Sequence, residues 1–483
     1  MGMLDGLIEQ VTPVAAPQSL GPRVAQHLLN RAGYGPRPGQ IQAVLDQGLT
    51  EWIEEQLSPG ADPELDTRLA AFPTLGYTTS QVLALYNADS RTINVILDEL
   101  TSAKVVRAAF ARNQLQEVLV DFWFNHFNVY VQDGFTRYAI ASYERDAIRP
   151  HVLSSFRELL GAVTLHPAML YYLDNYLNSA PRTQGGRVVG GINENQGREL
   201  LELHTLGVDA GYTQTDVIEA SRCLTGHGID ALDSGGNYLY RPANHDDGSK
   251  QVFGLAVPAG GGQGDVQRLL DHLAAHPATA HFIARKLAER FVSDAPSEAF
   301  VAKLAGVFQS SGGNLRELTK AIFGSAEFWA EAFSAGKPKT GFEYVVSTLR
   351  ATGAELSNTR MVKTTISDAG MPLYSCNPPT GYSNLGSDWL NPSAQLYRMN
   401  FALDLSAGMI AGASADVRAL IRNAGGDPES PASAAEAIDR VVFGRTLSAA
   451  TLGAAGRVST SGSVSVATRV AGLLFASPEM QVR

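Results

Sequence analysis

Two cysteines in 483 residues, Cys223 and Cys376, are too few for a disulfide framework, and neither belongs to a C-x-x-C pair. Charge is also sparse. Only 18% of residues are Asp, Glu, Lys or Arg, and 38 basic against 48 acidic residues leave a formal net charge of −10. A chain with no basic excess and no basic block lacks the electrostatics of sequence-independent nucleic-acid binding, so no nucleic-acid partner is expected. No apolar run reaches the length of a bilayer span, so no membrane insertion is expected. The opening MGMLDGLIEQVTPVAAPQSLGP has no basic residue before Arg23 and no apolar core. It does not read as a secretory signal; a cytoplasmic location is expected, with export alongside a partner left open. G-x-S-x-G and G-x-x-x-x-G-K-[ST] are missing, and no glycine run sits between a strand and a helix. The common hydrolase, kinase and dinucleotide-binding readings lose their usual support.

What is present is core material: 45% of residues are apolar, enough for a large buried interior. The periodicity is helical. From Lys104 to Val131, Leu115, Leu119, Phe122 and His126 fall on one helix face, predicting a single long helix. Pro150 and Pro167 are placed to open two further helices. In NENQGRELLELHTLG, Asn193 with Gln196 predicts a capped start and Gly207 a stop; Thr213 with Asp216, closed by Gly226, repeats the pattern. The glycine-rich stretch 182–192 reads as flexible. Residues 228–264 break the helical pattern and predict an irregular or β-hairpin excursion, and residues 357–390 a long functional loop. The expected fold is all-α: residues 1–22 an N-terminal extension, 23–424 a large multi-helix domain, and 425–483 a C-terminal helical segment packed on it.

Several residues carry candidate chemistry. The helix expected at 194–206 is apolar nearly all round, yet carries Arg198, Glu199 and Glu202, whose burial demands partners. They form either a structural salt bridge, with Arg198 and Glu202 at i,i+4, or a functional site. His204 lies on the opposite side from Glu202, so ExxExH is not a one-face metal motif. His126 extends an apolar stripe, where a histidine is more often core than ligand. In NHDDGSK, His245 and Asp246 are ligand types for a divalent metal, and Lys250 suits an anion; a solvated turn explains the same residues equally well. His126, His245 and a carboxylate have the composition of a two-histidine, one-carboxylate centre, though no local spacing such as HExxH supports it. The PPTGY loop with Tyr382, and WLN with Trp389, suit either a cleft wall or a core cap.

Blocks along the chain resemble a bacterial family catalogued as domain of unknown function 1800. They include HLLNRAGYG (27–35), FWFNHFNV (122–129), NENQGRELLELHTLGV (193–208), YTQTDVIEASRCLTG (212–226), HDDGSKQVFG (245–254) and PPTGYSNLGSDWLNPSAQLYRMNF (378–401). The resemblance implies one large helical unit and a frequent companion, a sulfatase-like protein often exported by the twin-arginine route. It supplies no reaction. Asn125, His126, Arg198, Glu199, Glu202, Tyr212, Arg222, His245, Asp246, Lys250 and Arg398 match its pattern. Phe124 stands where the family often has histidine, His204 where it commonly has Phe, and His227 where it usually has Trp.

The leading expectation is an enzyme, a metal-dependent hydrolase or oxygen-dependent oxidoreductase, with its site between the 104–131 and 194–206 helices. His126, His245 and Asp246 would hold iron or zinc, and Glu202, Glu199, Arg198 and Lys250 would act in catalysis. Asn125, Tyr212, Arg222, Tyr382, Trp389 and Arg398 would bind substrate. The alternatives are a non-catalytic assembly partner of the sulfatase-like companion and a metal-free anion or carbohydrate binder.

Overall fold

Side-chain caps decide where many of the helices begin. Ser155 with Glu158, Thr213 with Asp216, and Thr340 with Glu343 each form a reciprocal capping box that satisfies otherwise orphaned backbone N–H groups. The computed structural model describes residues 17–231 and 234–483, so most of the expected N-terminal extension lies outside the described residues. The protein is mainly helical, and its sheets, among the described residues, are two-stranded antiparallel pairs.

The elements that frame the candidate residues are α1 (Pro17–Arg31), α2 (Thr92–Phe110), α3 (Gln114–His126), α4 (Phe156–Thr164) and α5 (Pro167–Tyr172). The hairpin β1 (Ser179–Gln184) and β2 (Arg187–Gly191) precedes α6 (Asn195–Glu199), which continues as a π-helical turn, Leu200–Thr205. After α7 (Gln214–Leu224) come two more hairpins, β3 (His227–Ile229) with β4 (Tyr238–Tyr240) and β5 (Lys250–Val252) with β6 (Leu255–Val257). Then follow α8 (Gly264–Ala275), α9 (Pro277–Phe291), α10 (Gly341–Thr352), α11 (Pro392–Ser406) and α12 (Val466–Phe475). All twelve residues of α10 are buried, and α2, α11 and the helix Arg360–Asp368 pack against it. Its Arg350 donates to the carbonyls of Gly35 (2.7 Å) and Ala109 (2.8 Å) and to Gln40 Oε1 (3.1 Å), joining three distant parts of the chain.

The hairpins at 227–257 match the excursion read from the sequence. Four local expectations differ. The segment 104–131 is not one helix: α2 ends at Phe110, and Gln114 turns its amide back onto the carbonyls of Ala108 and Ala111 while the Arg112 N–H donates to Asp62, so the break satisfies its own backbone. The helix expected from Pro150 begins instead at Phe156, because the Ser155–Glu158 capping box fixes the start there. Residues 182–192 form a hairpin, turned by Gly185 and Gly186 at φ +58° and +78°, a conformation that favours glycine. The long loop contains a helix, Arg360–Asp368.

Burial holds several histidines neutral. His204 is pushed down to about 3 and His227 to about 4, and His27 and His126 lie well below the ordinary histidine value, all chiefly through desolvation. Unfolding returns these rings to an ordinary value near 6.5, so below that pH the unfolded chain binds more protons. Their contribution is complete above about pH 6.5 and is lost as pH falls toward the folded values. We expect stability to drop between pH 6.5 and 5.5, by roughly 1 kcal/mol per such histidine at full effect. Urea unfolding at the two pH values measures this, and His204→Phe should flatten the dependence.

Candidate functional site

The NHDDGSK loop is folded around a carboxylate that the sequence reading did not select. Asp265, in the first turn of α8, has a completely buried side chain. Its Oδ2 receives Lys250 Nζ at 2.6 Å and lies 3.3 Å from His245 Nε2; its Oδ1 lies 3.3 Å from Arg268 Nη1. Lys250 and His245 are themselves fully buried at the side chain. Lys250 Nζ also donates to the carbonyls of Gly248, at 2.9 Å, and Asp246. His245 Nδ1 lies 2.8 Å from the Thr225 carbonyl, so both ring nitrogens are engaged. Asp246 is held by the Arg222 guanidinium through two bonds of 2.8 and 2.9 Å, and Arg222 also grips both Glu219 oxygens. Nothing local in the sequence ties Asp265 to a lysine fifteen positions earlier; it reads there as an ordinary acidic residue at a helix start.

The PPTGY loop is clamped by the C-terminal end of α3 and the residues after it. Asn125 pairs edge-on with the Tyr382 backbone, donating to its carbonyl and accepting from its N–H, both at 2.6 Å. Asn128 donates to the carbonyls of Cys376 and Pro378, both at 2.9 Å. Gly381 makes the close approach possible: it sits at φ +70°, and a Cβ there would lie 2.2 Å from the Asn125 carbonyl oxygen. The Tyr382 hydroxyl donates to the Pro372 carbonyl, Trp389 Nε1 donates to the Ser383 carbonyl, and the two rings meet edge to face at 6.0 Å. Arg398 is buried, donating to the carbonyls of Lys339 and Trp389. These side chains hold the loop and leave little of themselves to a substrate.

His126 lies in the core beneath this loop. Its Nε2 is 3.2 Å from the His204 carbonyl, and its ring packs against Trp123, Phe127 and Phe282. His204 is buried with its Nε2 unpartnered, and Phe124 packs edge-on against Tyr374 and Tyr143. The structure therefore does not assemble His126, His245 and Asp246 into a ligand set. The His126 ring is enclosed by aromatics, His245 is fixed between Thr225 and Asp265, and Asp246 is spent on Arg222. Among the described residues no three His, Cys, Asp or Glu side chains converge as a metal ion requires.

The 194–206 segment departs from the expected straight, buried helix. The Asn193 side chain accepts from the Asn195 N–H, but Gln196 turns away to the Thr164 carbonyl, and the α-helical turn widens to π at Leu200. Arg198 does not pair with Glu202. It bonds Glu194 (3.0 Å) and Gln214 (2.9 Å) and stays about 39% exposed, so its charge is not buried. Glu199 and Glu202, three residues apart, are half-buried, and among the described residues neither enters an ion pair. Burial first, and the neighbouring Glu202 second, raise the Glu199 carboxyl above its ordinary value, while Arg198 partly offsets them. Tyr212 stands beside Glu202, its phenol raised to about 12 by burial and then by that carboxylate. Tyr172 feels Glu199 from α5 and donates to the Asn377 carbonyl at 2.6 Å. Glu199, Glu202 and Tyr212 are thus brought together with the edge of the PPTGY loop, whereas His245, Asp246, Lys250 and Arg222 form a separate group about Asp265. Five surface hollows of about 320 to 520 Å³ lie elsewhere, and no candidate residue lines any of them.

A family model described as "Protein of unknown function (DUF1800)" matches residues 27–482. The chain belongs to that family. No curated protein and no solved structure matches it. Among the described residues no helix is long and apolar enough to cross a membrane.

Asp265→Asn should destabilise the protein by about 3–5 kcal/mol, because it strands a buried lysine, and Asp265→Asn with Lys250→Met should recover much of the loss; urea unfolding checks both. Gly381→Ala should cost at least about 1 kcal/mol in the same assay, since the alanine must occupy a left-handed backbone position against a carbonyl oxygen.

Proposed function

We propose that this protein is an acid–base enzyme of the hydrolytic class, acting on an uncharged substrate at the Glu199–Glu202–Tyr212 surface. The observation that carries the reading is the carboxylate pair itself. Two glutamates three residues apart share one side of a helical turn, half-buried and, among the described residues, in no ion pair, with Arg198 only partly offsetting them. Burial and the nearby Glu202 raise the Glu199 carboxyl, which suits it to act as general acid, and Glu202 is placed to activate water as the base. Tyr212, whose phenol stays protonated through the neutral range, donates a hydrogen bond to Glu202 or substrate. A π-turn at this point supports the reading, because such turns are frequent at functional sites. The pair disfavours an anionic substrate, since Arg198 is committed to Glu194 and Lys250 to Asp265.

Assayed against uncharged chromogenic glycosides and esters, Glu199→Gln and Glu202→Gln should each lower kcat at least about a hundredfold. Each should melt within about 2 °C of the parent protein, because neither side chain supports a buried partner. Unchanged kcat in both variants contradicts the assignment.

A second reading, assembly with the sulfatase-like companion, is favoured by one separate observation. On α11, Leu396, Met399 and Leu403 recur at i, i+3 and i+7 and are 59%, 43% and 45% exposed, with Leu390 and Met409 exposed at either end. The helix carries only two charged residues, Arg398 turned into the core and the half-buried Asp404. Exposed leucine and methionine without charge are typical of an interface core. Coexpressed with the companion, Leu396→Asp with Leu403→Asp should reduce complex recovery at least about tenfold; undiminished recovery contradicts this docking.

A further inference from the structure

Among the described residues the least satisfied buried cation lies where α1, α9 and α10 meet the strand-like end of the chain. Arg31, at the end of α1, has a side chain with no exposed surface, and its Nε, Nη1 and Nη2 find no hydrogen-bond acceptor among the described residues. The nearest carboxylate, Glu331, is 3.9 Å away and partly exposed. Around it stand three more buried cations. Arg290 and Arg483 reach the same oxygen, Oε1 of Glu343, at 2.9 and 3.3 Å, and Glu343 Oε2 is already taken by the Thr340 N–H. Arg290 Nη1 and Arg483 Nε and Nη1 also lack an aligned acceptor. Lys337 lies 2.5 Å from Asp294 and donates to the Glu289 carbonyl, while its backbone pairs with that of Arg483 in both directions. Four cations therefore face one buried carboxylate, Glu343, and three partly exposed ones, Glu289, Asp294 and Glu331, and the Arg31 guanidinium is still left without a hydrogen-bond acceptor among the described residues.

A buried guanidinium with no hydrogen-bond acceptor is costly even with a carboxylate at 3.9 Å, and buried polar groups left without a partner commonly mark an ion or ordered water. We infer that Arg31, Arg290, Lys337 and Arg483 enclose a small inorganic anion. Guanidinium groups present planar pairs of N–H donors that suit phosphate or sulfate oxygens, and a chloride ion satisfies the same charge in less space. The site is enclosed, so the anion is an internal structural ligand.

The experiment uses the full chain, desalted into a buffer whose only small anion is gluconate, which is too large for an enclosed site. Ion chromatography of the denatured protein should find about one equivalent of chloride, phosphate or sulfate per chain, and which one identifies the ligand. After refolding in gluconate, adding that anion should raise Tm saturably, by about 2–3 °C at a hundredfold excess over Kd, above an ionic-strength control. Arg31→Met should abolish both the bound equivalent and the response. If Arg31→Met does not fold, Arg483→Met, which leaves Arg290 paired with Glu343, should weaken the response at least about tenfold in concentration. The inference is overturned if the parent protein releases less than about a tenth of an equivalent of any of the three anions and its Tm follows only ionic strength. Ordered water alone predicts that result, and predicts further that Arg31→Met melts higher than the parent in every salt.

Discussion

Burying charge is the constraint on which the rest of this fold depends, because an ion taken out of water is costly until another element of the chain supplies its partner. Arg350 crosses from the enclosed helix α10 to the carbonyls of Gly35 and Ala109. Arg149 bridges Glu117 on α3 and Glu144 in a separate π-helical turn, at 2.7 and 3.3 Å. Asp265 draws Lys250 and His245 into the interior, and Arg398 fastens α11 to the backbone at Lys339 and Trp389. Apolar periodicity is enough to collapse short helices together; these long-range polar bonds set the order and register in which they collapse.

The same constraint sorts the chemically loaded residues. A side chain whose hydrogen-bonding capacity is consumed inside the protein is a fastening. By that measure Asn125, Asn128, Tyr382, Trp389, Arg222, Asp246, His245 and Lys250 are fastenings of two loops. Glu199, Glu202 and Tyr212 differ because their polar ends remain partly open, and Glu202 adds to the burial that raises Glu199 and Tyr212. The bonds that hold the PPTGY loop arise at the C-terminal end of α3, against which the π-turn packs through His126 and His204.

The helical class, the hairpin excursion, the Thr213–Asp216 cap and the buried stripe of Leu115, Leu119, Phe122 and His126 were legible because each rests on local periodicity or a short capping pattern. The division of 104–131, the β1–β2 hairpin and the π-turn were not, because they are decided by bonds to Asp62, by a two-glycine turn and by packing. For the candidate site, proximity was the missing variable. His126 and His245 have suitable chemistry but separate surroundings, and Asp265, which organises the NHDDGSK loop, carries no local signal at all. Arg198 pairing with Glu194 instead of Glu202 has the same origin, for Gln214 on the neighbouring helix completes the first geometry and frees the second carboxylate.

Glu199 and Glu202 stand as an electrostatically coupled carboxylate pair that Arg198 offsets only in part. Carbon-13 NMR titration of the glutamate side-chain carboxyls tests this coupling without a substrate. Glu199 should titrate above the ordinary glutamate range and move down when Glu202 is replaced by glutamine, because removing the like charge favours ionisation. An ordinary titration of Glu199, unaltered by the Glu202 replacement, would contradict the account.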